Sequence, residues 1–321
     1  MTAERTAAAG FGDALVRAFG PERARAHVAL APLTTFKVGG PADWLVEAWG
    51  HAEVRTALEL AAAAVVPVTM LGGGSNVLVA DAGIRGLVVR VRGGAVEHVR
   101  SDAVRADAGV AINGLVRWTI AHGLAGLERW AGTPGTVGGA VYGNAHFEGR
   151  LIGDLVRRVG VVSREGKTAA LDQAAMAFGY DDSRLQHTGE VLLWAEFAVE
   201  PGDPVRLREM ARASLHHRKR TQPLALPSAG CVFRNPDPAR ASLPAGVPAS
   251  AGALIDRAGL KGAGAGGARV SPVHANFIVN EGGATARDIR ALVERCRTTV
   301  RERFGVELEE EIVYLGDWAA K

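Results

Sequence analysis

Hydrophobic residues recur along this chain with two different spacings. Apolar positions three and four residues apart predict helices at residues 10–19, 52–63, 112–122, 205–219 and 285–304. Short apolar runs rich in β-branched residues predict strands at residues 44–48, 65–71, 86–91, 95–100, 104–108, 155–163, 168–171, 190–199 and 308–315. Helices and strands are therefore mixed along the whole chain.

The order of these elements predicts the domain organisation. The strand at 44–48, the helix at 52–63 and the strand at 65–71 form a βαβ unit that ends at a Gly-rich loop. The run Pro201-Gly202-Asp203-Pro204 interrupts both spacings, so we place the main domain boundary there. Residues 262–267 contain only Gly and Ala, and this composition predicts a flexible loop.

Composition and charge narrow the class of protein. A formal net charge of +3 is too small to indicate a nucleic-acid-binding protein. The basic run 216–220 ends one predicted helix, where the helix dipole favours cations. Since the chain has no stretch of about 18 uncharged apolar residues and its first residues lack a signal-peptide pattern, we expect a cytosolic protein without membrane insertion.

The two cysteines, Cys231 and Cys296, are too few for a disulfide framework, and no metal-ligand spacing occurs. Cys296 lies on the apolar face of its predicted helix and is expected in the core.

Two Gly-rich loops are the strongest chemical signal. The first reads Leu71-Gly72-Gly73-Gly74-Ser75-Asn76, and the second reads Gly132-Thr133-Pro134-Gly135-Thr136-Val137-Gly138-Gly139-Ala140. Gly has no Cβ, so its backbone N–H groups can approach an anion closely, and Ser and Thr hydroxyls add further donors. One such loop is usually only a tight turn, but two favour a cradle for a cofactor that contains a diphosphate.

Several segments, in the same order along the chain, resemble one known family. They are 35–42, 71–78, 132–144, 228–236 (Ser-Ala-Gly-Cys-Val-Phe-Arg-Asn-Pro), 250–256 and 274–280 (His-Ala-Asn-Phe-Ile-Val-Asn). The chain is similar to the UDP-N-acetylenolpyruvoylglucosamine reductases, of the shorter subtype. The resemblance implies a p-cresol methylhydroxylase-type FAD fold with two lobes, at residues 1–66 and 67–201, and a C-terminal α+β domain at 202–321 that binds the UDP-sugar. Within this division, the FAD-binding domain covers about 36–201.

The resemblance also implies the reaction. NADPH reduces the FAD, and the hydride then passes to the enolpyruvyl double bond of the UDP-sugar, next to a carboxylate. Addition of hydride there develops enolate charge, which needs a cation or hydrogen-bond donors, and the adjacent carbon needs a proton. Many flavoenzymes of this fold carry a His that links to the flavin, but the first loop has none, so we expect noncovalent FAD. A monomer is favoured.

The candidate catalytic residues follow from the same motifs. Cys231 occupies the position of the proton-donating Ser, and a thiol with an ordinary pKa near ~8.5 can serve as the acid. Glu311 falls at the position of the C-terminal catalytic Glu, although Glu307, Glu309 and Glu310 leave that choice open by a residue or so. On a strand, Glu309 and Glu311 would share one face.

One position departs from the family pattern. In Tyr180-Asp181-Asp182-Ser183, the family Arg that would stabilise the enolate is replaced by Asp181, whose charge has the wrong sign. Arg184, Arg218 or Arg220 could supply a cation from elsewhere. The alternatives are a flavoprotein of the same fold that acts on another acceptor, or a homologue without catalytic activity.

The remaining predictions concern binding residues. For the cofactor they are Gly72, Gly73, Gly74, Ser75, Asn76, Thr133, Thr136, Gly138, Gly139, Ala140 and Asn144. For the UDP-sugar they are Tyr180, Arg234, Asn235, Lys261 and His274. Cationic side chains are suited to a diphosphate group.

Overall fold

The computed structural model describes residues 2–164, 166–239, 243 and 246–318, with side chains from residue 10 onward. The chain divides into two compact units. The first unit comprises Met1–Val28, Ala42–Gly73 and Arg85–His216, and the second comprises Ala29–Pro41, Gly74–Ile84 and His217–Lys321. The predicted domain boundaries, which are contiguous in sequence, stay predictions.

Eight helices and eighteen strands are found in the described residues. The helices are α1 (Thr2–Phe19), α2 (Gly50–Ala63), α3 (Ile112–Ala121), α4 (Val137–Tyr142), α5 (Leu185–Thr188), α6 (Pro204–Thr221), α7 (Ala251–Arg257) and α8 (Ala286–Phe304). The strands are β1 (Ala24–Ala29), β2 (Pro41–Trp49), β3 (Val68–Leu71), β4 (Val77–Val79), β5 (Ile84–Arg92), β6 (Val96–Arg100), β7 (Ala103–Asp107), β8 (Leu124–Ala125), β9 (His146–Phe147), β10 (Arg150–Leu151), β11 (Val156–Val162), β12 (Thr168–Asp172), β13 (Val191–Ala198), β14 (Glu200–Pro201), β15 (Gly264–Ala265), β16 (Ala268–Val270), β17 (Ile278–Asn280) and β18 (Val313–Leu315).

The first unit contains two main sheets. One sheet has the order β1-β2-β5-β3, with β3 and β5 parallel, so the two strands of the predicted βαβ unit share a sheet and β5 lies between them. The other sheet has the order β12-β11-β13-β7-β6, and its neighbours are antiparallel. Alternate residues of β13, such as Leu193, Ala195 and Phe197, are buried in the core.

The second unit is built around α8 and a small sheet. Strands β15, β16 and β17 form an antiparallel sheet, and β4 pairs in parallel with β18. Helix α8 begins at a capping box, in which Thr285 and Asp288 each accept a backbone N–H of the other, and it ends at Gly305 in the left-handed conformation. Cys296 on this helix is buried, and its burial raises the pKa of the thiol to about 12. This confirms its predicted place in the core.

Two of the predicted elements are wrong in extent. The strand predicted at 65–71 begins only at Val68, because Val65 has a positive φ and Pro67 has no backbone N–H to donate to a ladder. Residues 262–267, predicted as a flexible loop, contain β15 and the turn of a hairpin. Gly266 in this turn has a φ of 51°, and a Cβ there would overlap the carboxylate of Asp288, so the small residues serve close packing.

The strand predicted at 308–315 is also wrong in extent, since it covers only Val313–Leu315. The chain changes partner along this segment. The N–H of Glu311 donates to the carbonyl oxygen of Val232, whereas that of Val313 donates to Asn76. A change of partner ends a ladder, so the shared face predicted for Glu309 and Glu311 has no continuous strand behind it.

One further property concerns membranes. Within the described ranges, no helix combines the length and the apolar character that crossing a bilayer requires.

Candidate active site

The two Gly-rich loops meet inside the first unit. A Cβ on Gly72 would lie 2.5 Å from Oγ1 of Thr136, and a Cβ on Gly73 would lie 2.6 Å from Cα of Gly135. Real Cβ atoms do not come so close to other heavy atoms, so only Gly permits this approach. The two loops therefore lie against each other, and their close approach depends on the absence of side chains at Gly72 and Gly73.

The second loop is held by hydrogen bonds that restrict which groups can act as donors. The N–H groups of Val137 and Gly138 donate to the carbonyl oxygens of Val110 and Ala108, both at 2.8 Å. Gly138 is thus engaged through its N–H, and its lack of a side chain lets the loop approach Ala108. The hydroxyl of Thr136 caps α4 by accepting the N–H of Gly139 at 3.4 Å.

Two asparagines position the same region. The side chain of Asn113 accepts the N–H of Gly132 at 2.7 Å and donates to the carbonyl of Thr133 at 3.1 Å. Sequence reasoning missed Asn113, which carries no motif. Asn144, predicted to bind the cofactor, is fully buried. Its side chain accepts the N–H of Gly153 at 2.8 Å and donates to the carbonyl of Gly179 at 2.6 Å, so it anchors the segment before Tyr180.

The end of the first Gly loop belongs to the second unit. Gly74 has a φ of 65°, and a Cβ there would overlap the carbonyl of Leu33, so this position also requires Gly. The side-chain amide of Asn76 donates to the carbonyl oxygen of Glu311 at 3.1 Å. The loop residue Asn76 and the predicted catalytic Glu311 are therefore neighbours, although 235 residues separate them in sequence.

Cys231 and Glu311 lie on two paired segments of the second unit. The N–H of Arg234 donates to the carbonyl of Glu309 at 2.9 Å, the N–H of Glu311 donates to Val232 at 2.8 Å, and Phe233 bridges Glu310. The side chain of Asn276 accepts the N–H of Phe233 at 3.0 Å and donates to its carbonyl at 2.7 Å. These two hydrogen bonds fix the backbone of Phe233, two residues after Cys231. The side chain of Cys231 is half-buried.

The structure distinguishes the four glutamates of the C-terminal run. Glu310 accepts from the guanidinium of Arg297 at 3.0 Å, and Glu307 also lies near Arg297, at 3.9 Å. Glu309 is exposed, whereas Glu311 is half-buried with both backbone groups held by hydrogen bonds. Among the four, Glu311 combines partial burial with a fixed backbone, whereas Glu307 and Glu310 lie beside Arg297, which favours Glu311 as the catalytic candidate.

Two predicted substrate residues share an open depression of about 160 Å³ in the second unit. Lys261 and His274 line it together with Ser250, Gly252, Ala253, Asp256, Val273 and Ala275. Burial, and the nearby ammonium of Lys261, lower the pKa of His274, which favours the neutral ring. Its Nδ1 accepts the N–H of Asn276 at 3.2 Å. Asn235 does not line the depression, but its side chain accepts the N–H of Ala251 beside Ser250, at 3.1 Å.

The Tyr180–Ser183 loop of the first unit carries a pair that sequence reasoning missed. Asp181 is only 6% exposed, and its Oδ1 lies 2.9 Å from Nδ1 of His146. The ring of His146 packs on Tyr180 with centroids 4.9 Å apart. The sequence shows His146 two residues after Asn144. It gives no indication that His146 pairs with Asp181, which lies 35 residues further along the chain.

The three predicted replacement cations differ in their surroundings. Arg184 binds Glu190 through two guanidinium nitrogens, at 2.8 and 3.3 Å, and this pair holds the pKa of the Glu190 carboxyl below its usual range. Arg218 is buried and belongs to the second unit, and Arg220 is exposed. Arg184 is therefore committed to a structural ion pair.

Two protein families match the chain. Residues 42–172 match the family described as FAD binding domain, and residues 222–315 match the UDP-N-acetylenolpyruvoylglucosamine reductase, C-terminal domain.

Individual relatives match over nearly the whole length. UDP-N-acetylenolpyruvoylglucosamine reductase of Synechococcus sp. (strain WH7803) is 42% identical over 90% of this chain and 92% of its own. The protein of the same name from Anaeromyxobacter sp. (strain Fw109-5) is 40% identical over 97% and 96%. The crystal structure of the reductase from Thermus caldophilus superposes with a TM-score of 0.74 at 32% identity, covering 91% of this chain and 99% of that one. The predicted FAD-binding α+β fold is confirmed.

Proposed function

This chain belongs to the UDP-N-acetylenolpyruvoylglucosamine reductase family and is an FAD-dependent oxidoreductase of peptidoglycan synthesis, and on this premise we propose that it uses NADPH to reduce UDP-N-acetylglucosamine enolpyruvate to UDP-N-acetylmuramate. The observation that supports the residue assignments best is the pairing of 232–234 with 309–311. These backbone hydrogen bonds hold the segment that follows Cys231 beside the segment that contains Glu311.

The junction of the Gly loops supports the assignment of FAD, because there is no room for a Cβ on Gly72 or Gly73 and backbone N–H groups without side chains suit a diphosphate. We assign the cofactor to the predicted loop residues, with Gly72, Gly73 and Thr136 at the junction and Asn144 as an anchor for the neighbouring segment. When bound, FAD supplies the hydride for the enolpyruvyl group. No His lies in the first loop, so noncovalent binding is expected.

The side chains of this protein then complete the reduction of the double bond. The β carbon of the enolpyruvyl group gains the hydride, and the π electrons move to the α carbon and its carboxylate as enolate charge. Cys231 gives its Sγ–H proton to the α carbon, and solvent returns a proton to the thiolate. Glu311, held by Val232 and Asn76, assists proton movement at this centre.

The UDP-sugar is assigned to the predicted binding residues. Lys261 provides the charge for the diphosphate, and His274, neutral in its desolvated position, offers a ring N–H rather than a second cation. Tyr180, Arg234 and Asn235 complete the set. We infer a cytoplasmic monomer, and sedimentation of the holoprotein at one chain mass would support the monomer.

The test uses purified holoprotein under anaerobic conditions. NADPH should bleach the flavin absorbance, and subsequent addition of UDP-N-acetylglucosamine enolpyruvate should restore it. Flavin that bleaches but recovers only with dioxygen would favour the alternative of a flavoprotein with another acceptor. Flavin that NADPH never bleaches would favour a homologue without this activity, as Asp181 in place of the family Arg suggests. Acid precipitation should release the yellow cofactor into the supernatant.

A further inference from the structure

The pair of His146 and Asp181 has no role in the reaction described so far. The Asp181 carboxylate is 6% exposed, and the side chain of His146 is 26% exposed, with 2.9 Å between Nδ1 and Oδ1. A buried carboxylate is costly unless hydrogen bonds and a cation compensate it. An imidazolium at this distance would supply both the hydrogen bond and the cation.

The loop around Asp181 is built to hold this carboxylate in one place. Asp181 has a φ of 53°, a left-handed conformation that is uncommon in residues other than Gly and persists where neighbours enforce it. Ser183 is fully buried, and its hydroxyl donates to the carbonyl of Tyr142 at 2.7 Å. The amide of Gln186 donates to the carbonyl of Asp181 at 3.0 Å. Backbone strain and convergent side-chain bonds of this kind are typical of functional loops.

The ring of His146 is fixed as well. One ring nitrogen meets Asp181, and the ring face packs on Tyr180, a predicted substrate residue. Arg184, the arginine nearest in sequence, is committed to Glu190. The imidazole on β9 is therefore a fixed, partly exposed group beside this loop that can carry a positive charge.

We propose that Asp181 holds His146 as an imidazolium whose second ring nitrogen binds the carboxylate of the enolpyruvyl group and stabilises the enolate charge that forms there. This inference rests on the proposed function, because it needs a substrate with a carboxylate. It makes His146 a catalytic residue and Asp181 its positioning residue. It also explains why an acidic residue is tolerated in the loop, since the acid supplies the cation indirectly.

The same loop contains a matched control. Asp182 and His187 form a second pair, 2.8 Å apart, but their side chains are 36% and 67% exposed. Both pairs join an imidazole to a carboxylate, but the second pair is more exposed and uses Nε2 of the ring instead of Nδ1. His187→Gln therefore reports what loss of an ordinary surface pair does.

The experiment compares two ligands of the oxidised holoprotein by calorimetry. UDP-N-acetylmuramate carries the carboxylate, and UDP-N-acetylglucosamine lacks it. His146→Gln should weaken binding of the first by about 10-fold to 100-fold, as expected for a charge-assisted hydrogen bond. It should change binding of the second by less than about 2-fold, and His187→Gln should change neither. His146→Arg, which keeps a cation, should retain more affinity for UDP-N-acetylmuramate than His146→Gln.

The outcomes separate this inference from the proposed function. A wild-type protein that binds neither ligand would overturn both. Suppose that the wild type binds both ligands, and that His146→Gln leaves both affinities unchanged or weakens them equally. This result would overturn the inference alone, because a pair with only a structural role would not distinguish the ligand that has a carboxylate. If the His146→Gln protein fails to retain FAD, the variant Asp181→Asn is measured in its place, because Asn has nearly the same size as Asp. A selective loss of about 10-fold in that variant supports the inference, and unchanged binding refutes it.

Discussion

The Gly-loop junction of the first unit and the paired segments of the second unit are built in opposite ways. At the junction, Gly72 and Gly73 approach Gly135 and Thr136 so closely that the absence of side chains is the essential feature. In the second unit, the backbone pairing around Phe233 and Glu310 exists to present particular side chains, among them Cys231 and Glu311.

The two regions should therefore respond differently to substitution. Added atoms at the junction should remove cofactor binding, whereas removed atoms on the paired segments should slow chemistry and leave the cofactor in place. The Tyr180–Ser183 loop sits in the first unit but resembles the second region, because its value lies in the side chains it fixes.

The largest effect is expected from Gly73→Val. The new Cβ would lie 2.6 Å from the backbone of Gly135, and backbone cannot move aside as a flexible side chain can. Overpacking of this kind costs at least about 1–3 kcal/mol, so the flavin-to-protein absorbance ratio after gel filtration should fall by ~10-fold or more. Gly10→Ala, where a Cβ meets nothing within 4 Å, should keep full flavin content. Full flavin content in Gly73→Val would show that cofactor binding does not depend on the absence of a side chain at this position.

Cys231→Ala should slow flavin reoxidation by the enolpyruvyl substrate by about 10²–10⁴-fold, the usual contribution of a general acid. Reduction by NADPH and flavin content should stay near wild type, and Cys231→Ser should keep substantial activity. Stopped-flow absorbance separates the two steps. Cys296→Ala is the matched control, because that thiol is buried in α8 and its raised pKa keeps it inert. Reoxidation of Cys231→Ala at the wild-type rate would make Cys231 structural.

Ser183→Ala should lower the free energy of unfolding by about 0.5–1.5 kcal/mol, since it removes the hydrogen bond that the fully buried Ser183 hydroxyl donates to the carbonyl of Tyr142. Urea unfolding measures this loss. Ser101→Ala, at an exposed turn, should change stability by less than about 0.5 kcal/mol. Equal stability of the two variants would show that the loop does not depend on its side-chain bonds.

The smallest effect concerns the pH dependence of stability in the second unit. Burial and Lys261 lower the pKa of His274 in the folded protein, so the unfolded chain takes up a proton first as pH falls. The contribution of His274 is complete above its ordinary pKa of about 6.5 and decreases as pH falls below that value. Between pH 7.5 and 5.5 the urea midpoint should fall more in the wild type than in His274→Gln. Parallel curves would contradict this desolvation.

The sequence alone predicted the features that depend on local composition. The two Gly loops, the boundary of α8 at Thr285 and the burial of Cys296 follow from residue type and spacing, and the structure confirms them. The hairpin at 262–267 was missed because small residues serve both flexible loops and close packing, and only the contact with Asp288 distinguishes them.

The features that depend on distant partners could not be predicted. His146 meets Asp181 across 35 residues, and Asn76 meets Glu311 across 235, so neither pair leaves a local signal. The choice among the C-terminal glutamates required the ion pair of Glu310 with Arg297, which fixes that carboxylate elsewhere. Long-range pairing also shortened the strand predicted at 308–315.

The most direct test of the central claim is a single turnover without NADPH. Holoprotein reduced photochemically under anaerobic conditions is mixed with UDP-N-acetylglucosamine enolpyruvate. The amount of product is then measured by mass spectrometry and divided by the amount of flavin. The account predicts full flavin reoxidation and about one UDP-N-acetylmuramate per flavin, as a two-electron transfer requires. Flavin that stays reduced in the presence of this substrate, and is oxidised only when dioxygen enters, would contradict it.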